Sequence, residues 1–125
     1  MLGNESQNID CTKYSTSEQE IGRWIDGKKL YRMTVTATDL NVNTANSITI
    51  PNGNTILVKN IYGNVYGGGG GFVTTVNCMF SADNVNGRTA AYTLQGNNTI
   101  RSYCGAYATG NNKYDTVIFL EYTKK

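Results

Sequence analysis

The sequence of 125 residues has no histidine, a single proline and few charged side chains. The absence of histidine removes the commonest general base, the usual partner of a serine or cysteine nucleophile, and a frequent zinc ligand. Charged residues make up 16% of the chain, below the roughly 25% of average soluble domains. The net charge of +2 is scattered along the sequence. We therefore expect no enzyme, no metal or cofactor, and no nucleic-acid partner.

Long apolar runs are also missing, because no stretch approaches the roughly 18 consecutive apolar residues of a membrane helix. The first residues, Met1–Glu5, lack the basic and apolar regions of a secretory signal. We expect no membrane insertion and no export by a signal of this chain. The three cysteines, Cys11, Cys78 and Cys104, are odd in number and form no CxxC pair. They favour reduced thiols made in a cytoplasm, with a disulfide as the alternative.

Two loops contain residue types found in ligand-binding loops. Asp83–Asn86 offers oxygen ligands for calcium, but it lacks the full acidic spacing of a calcium loop and favours a plain turn. Gly67–Gly71 has no GK[ST] sequence and opens a strand rather than a helix, which excludes a phosphate loop. The glycine run is either a flexible hairpin end or a mobile tip that covers a partner.

The sequence does contain the alternation of apolar and polar residues that is typical of β-strands. One example is the alternation of Tyr31, Met33, Val35 and Ala37 with polar residues. No segment of ten or more residues shows helical periodicity. We predict an all-β fold, an antiparallel β-sandwich resembling a jelly roll, with about eight short strands and an amino-terminal β-hairpin. Besides the hairpin, the predicted strands are Ser47–Ile50, Thr55–Tyr62, Phe72–Phe80, Arg88–Leu94, Thr99–Cys104 and Lys113–Thr123.

The domain organisation follows from this pattern. Residues 1–13 are polar and aperiodic, and we expect a flexible lead-in or connector there, followed by a single sandwich domain over 14–125. The last strand is apolar on both faces. Such a strand is either central in a sandwich or covered on its outer side by another copy of the chain.

The amino-terminal hairpin is the strongest local signal. Asp26-Gly27 between two β-favouring runs predicts a two-residue type I′ turn. That turn pairs Gly22 with Tyr31 and places Trp24 on the same face as Tyr31. We expect Trp24 and Tyr31 to form an aromatic cluster held by the turn, with Gly22 leaving room for the tyrosine ring.

Tyrosine is abundant, with nine copies. It is common on recognition surfaces because it combines a large contact area with a hydroxyl and few torsions to freeze. Tyr31, Tyr92 and Tyr122 fit core positions. The candidate receptor-contact residues, near the glycine run and the last turn, are Tyr66, Tyr103, Tyr107 and Asn111.

Residues 14–34 closely resemble the opening segment of a carboxy-terminal module in tail-fibre, baseplate and head-fibre proteins of bacteriophages and prophages, with the pattern YSTxEQxIGxWIDGKxLYxxT. Val117–Lys124 resembles the last strand of that module, whereas Gly67–Gly71 is not part of its pattern. The resemblance implies a small β-sandwich at the distal end of a virion fibre, assembled as a homotrimer. The resemblance assigns a role to only four positions of this sequence, and that role is structural. They are Trp24, Asp26, Gly27 and Tyr31.

The first functional hypothesis is therefore a non-enzymatic virion protein, assembled in the bacterial host cytoplasm, that binds a saccharide or protein of the host surface as a trimer. Ile21, Ile25 and Leu30 on the outer face of the hairpin favour assembly, since a monomer would expose them. The alternative is a structural or decorating module that contacts only other virion proteins. A third hypothesis is a saccharide-degrading enzyme that uses a carboxylate pair between subunits.

Overall fold

A computed structural model describes residues 14–67, 73–76, 90–96, 98–104 and 113–125. Within these ranges the chain forms eight strands and one short 3-10 helix, Gly53–Thr55, and no helix there is long and apolar enough to cross a membrane. The strands are β1 Gln19–Arg23, β2 Lys29–Asn41, β3 Ala45–Thr49, β4 Ile56–Gly67, β5 Val73–Val76, β6 Ala90–Gln95, β7 Thr99–Cys104 and β8 Lys113–Lys124. Several features of the sequence lie outside the described residues, namely the 1–13 lead-in, Cys11, Cys78, Asp83–Asn86, Tyr107 and Asn111.

The strands form two antiparallel sheets. Sheet A has five strands in the order β1-β2-β8-β4-β5, and sheet B has three in the order β3-β7-β6. The predicted antiparallel β-sandwich is confirmed. The β7 bounds agree with the prediction at both ends, and the other strands differ from it by a few residues at one or both ends.

The last strand, β8, is central in sheet A and pairs with β2 on one side and β4 on the other. Alternate residues from Tyr114 to Tyr122 are buried against sheet B. On the outer face, Phe119 is half-buried beneath Tyr14, with the ring centroids 4.6 Å apart. β8 is therefore apolar on both faces because it is central in sheet A, with the core on its inner face and Tyr14 of the same chain packed on its outer face.

The hydrophobic core lies between the two sheets and draws on both. Sheet A supplies Met33, Ile56, Val65, Ile118, Leu120 and Tyr122, and sheet B supplies Ile48, Tyr92, Ile100 and Cys104. Tyr31 packs against this cluster. The predicted core positions of Tyr31, Tyr92 and Tyr122 are confirmed. Cys104 is buried, and burial raises the pKa of its thiol to about 12.

One end of this core, which we call the closed end, is crossed by two tyrosine hydroxyls. Tyr92 Oη of sheet B lies 2.6 Å from Thr116 Oγ1 of sheet A, and Tyr114 Oη of sheet A lies 2.8 Å from Ser102 Oγ of sheet B. Asn46 Nδ2 also donates to Tyr114 Oη, at 3.1 Å. These bonds satisfy polar groups that burial would otherwise leave without partners.

Gly63 makes the closed end possible. A Cβ at this position would collide with the Val117 carbonyl oxygen and lie 2.7 Å from Tyr92 Oη. Only glycine lets β4 and β8 pair while the tyrosine hydroxyl occupies the same space. For this reason β4 continues through Gly63 to Gly67, although the sequence predicts that the strand ends at Tyr62.

The amino-terminal hairpin is present, but its predicted register is wrong by one residue. The turn is a three-residue loop in which Gly27 N donates to Trp24 O at 2.9 Å and Trp24 N donates to Lys28 O at 2.8 Å. Gly27 has φ +87°, and Asp26 is not among the positive-φ residues, as a type I turn with a following bulge requires.

The shift moves Trp24 to the other face of the sheet. Gly22 pairs with Leu30 instead of Tyr31, and a bulge then pairs Glu20 with Tyr31. Because side chains alternate along a strand, Trp24 shares the face of Gly22 and Leu30, opposite to Tyr31. The expected cluster of Trp24 with Tyr31 is therefore a wrong prediction.

Each of these rings has a different partner from the predicted one. Tyr31 stacks on Tyr122 of β8, with centroids 5.9 Å apart, and Trp24 lies with Lys59 Nζ 5.6 Å from its ring centroid. The two rings therefore contact other strands of sheet A on its opposite faces.

Candidate functional site

Tyr66 and Tyr103, the two predicted receptor-contact tyrosines within the described residues, do not share one surface. Tyr66 pairs with Asp115 on the outer face of sheet A, because its neighbour Val65 points into the core. Tyr103 lies on the outer face of sheet B, next to the buried Ser102 and Cys104. Both tyrosines are half-buried, and they face opposite sides of the sandwich.

The residue types that could carry chemistry are sparse in the described ranges, where no group of three or more Cys, Asp or Glu side chains could hold a metal ion. Two clusters of charged and aromatic residues remain. One covers the outer face of sheet A, and the other lines a cavity where the core reaches the surface.

The outer-face cluster joins the segment before β1 to sheet A. Arg32 is only 4% exposed, and its Cζ lies 4.1 Å from the Tyr14 ring centroid. Tyr62 Oη donates to Glu121 Oε2 and Asn60 Nδ2 donates to Glu121 Oε1, both at 2.8 Å. Arg32 also hydrogen-bonds to Tyr62.

The electrostatics of this cluster agree with a closed network. Burial is the main cause that raises the pKa of Tyr62 to about 12, and the hydrogen bond to Glu121 and its charge act in the same direction. The polar groups of the cluster are mainly engaged with one another. It therefore serves to hold the segment at Tyr14 against sheet A, supported by Thr34 N donating to Ser15 O at 2.9 Å.

The second cluster lines a cavity of about 330 Å³ at the end of the core opposite to the closed end, which we call the open end. Its apolar wall consists of Met33, Pro51 and Ile56. Its polar wall consists of Thr16, Glu18, Asn52, Thr55, Tyr122 and Lys124. The cavity thus brings together the segment before β1, the turn before β4 and the end of β8.

Glu18 is the central polar residue of the open end. Tyr122 Oη donates to Glu18 Oε2 at 2.7 Å, and Lys124 Nζ lies 2.8 Å from Glu18 Oε1. The side chains of Glu18 and Lys124 remain 38% and 51% exposed. Lys124 Nζ also lies 4.6 Å from the centroid of the Tyr31 ring, which stacks on Tyr122.

The charge state of this network follows from its contacts. Partial burial raises the pKa of Glu18, but the hydrogen bonds from Lys124 and Tyr122 and the charge of Lys124 together lower it below its ordinary value of 4.5. Burial and the Glu18 carboxylate both raise the pKa of Tyr122. At neutral pH the open end therefore presents an ionised carboxylate, a protonated phenol and an ammonium group.

Local sequence explains how Glu18 reaches this position. Ser15 and Glu18 have the spacing of a capping box, but Ser15 Oγ instead accepts from Ser17 N at 3.0 Å, and the chain bends and enters β1 at Gln19. Because Gly22 follows too soon for more than about two turns of helix, the sequence favours a single turn or an extended lead here, and the structure agrees. It gives no signal that Glu18 meets Tyr122, which lies 104 positions away.

Comparison with family models, with curated proteins and with solved structures found no match to this chain.

Proposed function

We propose that this chain is a non-catalytic module of a phage virion fibre or tail tip that attaches to the host cell surface as a homotrimer. The proposal starts from the resemblance of residues 14–34 to fibre-type modules. It is supported by the hairpin geometry, in which Gly22 has φ +153°, Gly27 has φ +87° and Asp26 Oδ1 accepts from Lys28 N at 3.0 Å. The two glycines adopt positive φ angles that other residues rarely adopt, and the aspartate side chain bonds to the backbone of the turn, so these residue types suit their positions in the motif.

The observation that carries assembly is the exposure of Ile25. This side chain is 93% exposed at the tip of the hairpin, within the motif itself. Contact with another chain at the hairpin tip would remove this side chain from water, which favours assembly, and the resemblance supplies the trimer. Elsewhere in the hairpin Ile21 and Leu30 are already half-buried, so the contact concerns the tip rather than the whole outer face.

A non-catalytic function is supported by how two of the described carboxylates, Glu121 and Glu18, are used. Glu121 accepts hydrogen bonds from Asn60 and Tyr62 on the outer face of sheet A. Glu18 bonds to Tyr122, whose side chain faces the core. These two carboxylates therefore lie on opposite faces of sheet A and do not flank one site within the chain, as a glycosidase pair would.

The experiment combines light scattering with adsorption to cells. The full chain should elute with a mass of about 41 kDa, three times 13.7 kDa, and a fluorescent conjugate should label some strains in a panel of Gram-positive and gut bacteria. Ile25→Ser should weaken the trimer, whereas Leu94→Ser, at a position that is 37% exposed on β6, should leave it unchanged. A monomer that labels no strain would contradict the proposal.

The decorating module is the second candidate, and the separation of Tyr66 from Tyr103 on opposite faces favours it, since one chain does not present them to one receptor. Such a module would label no host strain but would bind purified capsids or tails that lack it. The labelled chain therefore distinguishes the two functions when cells and particles are tested side by side.

A further inference from the structure

We propose that the open end of the sandwich is a binding site for one neutral sugar ring, a hexopyranose unit of a surface polysaccharide. This inference rests on the proposed attachment function and assigns it to a site whose lining does not include Tyr66 or Tyr103.

The size of the cavity limits the ligand. A volume of about 330 Å³ is at the lower end of the range of small-molecule sites. It accommodates one six-membered ring with its hydroxyl groups, and a longer chain would continue into solvent. A terminal sugar or a side branch fits this geometry best.

The apolar wall matches one face of such a ring. Met33 and Ile56 belong to the hydrophobic core and also line the cavity, so the cavity borders the core, and Pro51 adds an apolar edge. A pyranose has a face of C–H groups that packs on apolar side chains, while its hydroxyl groups point outward around the rim. A small ion has no such face and gains nothing from this wall.

The polar wall supplies acceptors and donors at the rim. The Glu18 carboxylate is fixed by Tyr122 and Lys124 and keeps a solvent-accessible portion that can accept from two neighbouring hydroxyls. Thr55 Oγ1 already donates to Asn52 O at 2.8 Å, which leaves its oxygen as an acceptor. Because the carboxylate is held in advance, little side-chain ordering is needed when a ligand binds.

The charges select a neutral ligand. Glu18 and Lys124 form an ion pair at 2.8 Å, so the net charge of the open end is close to zero. An acidic sugar would have to compete with Glu18 for Lys124, and an amino sugar would have to compete with Lys124 for Glu18. Because the two charges already offset each other, neither ligand gains net attraction, and the site favours a neutral hexose.

Amide chemical shifts of the ¹⁵N-labelled full chain test this site. The probes are methyl glucoside, methyl galactoside and methyl N-acetylglucosaminide, with glucuronate and glucosamine as the charged comparisons. At least one neutral probe should bind with a dissociation constant of about 1 mM. The shifts should map to Thr16, Glu18 and Ile56, and they should leave Tyr103 unmoved.

Two variants sharpen the assignment. Thr16→Phe places a ring at the cavity wall and should weaken binding about tenfold, whereas Ser17→Phe, the adjacent exposed position outside the wall, should not. Glu18→Gln leaves the Lys124 charge without its partner. This variant should bind glucuronate at least about fivefold more tightly than the unaltered protein does, a change of specificity that a loss of folding would not produce.

The outcomes separate this inference from the proposed function. If no neutral probe binds while the labelled chain still adsorbs to cells, the sugar site is overturned and attachment stands. If a neutral probe binds at the open end but no strain is labelled, the site stands and attachment fails. Equal binding of glucuronate and the neutral probes by the unaltered protein would overturn the charge argument, and with it the neutral ligand class.

Discussion

Tyr114 and Tyr122 occupy equivalent inward positions near opposite ends of β8, yet their hydroxyls have different roles. Tyr114 meets the neutral side chains of Ser102 and Asn46, and its hydroxyl joins the two sheets. Tyr122 meets the ionised Glu18 carboxylate at the wall of a cavity. The same residue type in the same strand therefore contributes cohesion at the closed end and a polar binding surface at the open end.

The pKa shifts of the two residues reflect this difference. Burial raises the pKa of Tyr114, and the hydrogen bonds from Ser102 and Asn46 lower it in part. Burial also raises the pKa of Tyr122, but there the Glu18 carboxylate adds to the rise. The neutral partners of Tyr114 stabilise its protonated hydroxyl and place no charge at the closed end. The carboxylate partner of Tyr122 also stabilises a protonated hydroxyl, but it places a negative charge where a ligand can reach it.

The largest effect expected at the closed end is that of Gly63→Ala. The added methyl group would overlap the Val117 carbonyl oxygen and crowd Tyr92 Oη, so either the β4–β8 pairing or the bond to Thr116 must give way. We expect a loss of about 3 kcal/mol or more and a fall in Tm of about 10 °C, measured by thermal and urea unfolding.

Gly96→Ala is the matched control for that variant. Its φ of +61° strains a side chain, but the nearest atom to the new Cβ would be 3.9 Å away. We expect a cost of about 1 kcal/mol. Equal costs for the two alanine substitutions would show that the closed end is not tightly packed.

A pair of phenylalanine substitutions compares the two ends directly. Tyr114→Phe removes the partner of the fully buried Ser102 hydroxyl and should cost about 1–2 kcal/mol in urea unfolding. Tyr122→Phe should cost about 0.5 kcal/mol, because Glu18 keeps Lys124 and has access to water.

A double-mutant cycle tests the cause of the larger loss. Tyr114→Phe combined with Ser102→Ala should recover most of the cost, because no buried hydroxyl then lacks its partner. If Tyr122→Phe proved the more costly of the two single variants, the assignment of cohesion to the closed end would be wrong.

The sequence was informative where one strand determines its own burial. Alternation from Tyr31 to Ala37 predicted one buried face for that strand, and turn residues on either side of the next-to-last strand predicted Thr99–Cys104. These features depend on the spacing of apolar residues along one strand and on the turn residues beside it. Both are contained in a single short segment of the sequence. The all-β sandwich followed from the repetition of such segments.

The sequence was uninformative where two segments had to be aligned. Asp26-Gly27 is compatible with a two-residue or a three-residue loop, and the difference of one residue moved Trp24 to the other face of sheet A. Tyr66 and Tyr103 were separated because their strands belong to different sheets. Glu18 was missed for the same reason, since its partners lie on β8 at the far end of the chain.

Acidification should weaken the open end before it affects the closed end. The pKa of Glu18 in the folded protein lies below its ordinary value of 4.5. The ionised carboxylate therefore stabilises the fold above that pH, and this contribution is lost as the pH falls through the folded pKa. The closed end relies on neutral hydroxyls and has no comparable group to protonate.

The measurement compares the Tm of the unaltered protein and of Glu18→Gln from about pH 3 to pH 7. The unaltered protein should be the more stable near neutral pH, and the difference should shrink as Glu18 takes up its proton.

Glu20→Gln is the control, because Glu20 lies 3.8 Å from Lys29 and has a looser ion pair than the 2.8 Å contact of Glu18. Because Glu18 is partly exposed to solvent, we expect this change in stability to be smaller than those of Gly63→Ala and Tyr114→Phe. A difference in Tm that stayed constant down to the acid limit would mean that Glu18 acts through packing rather than through its charge.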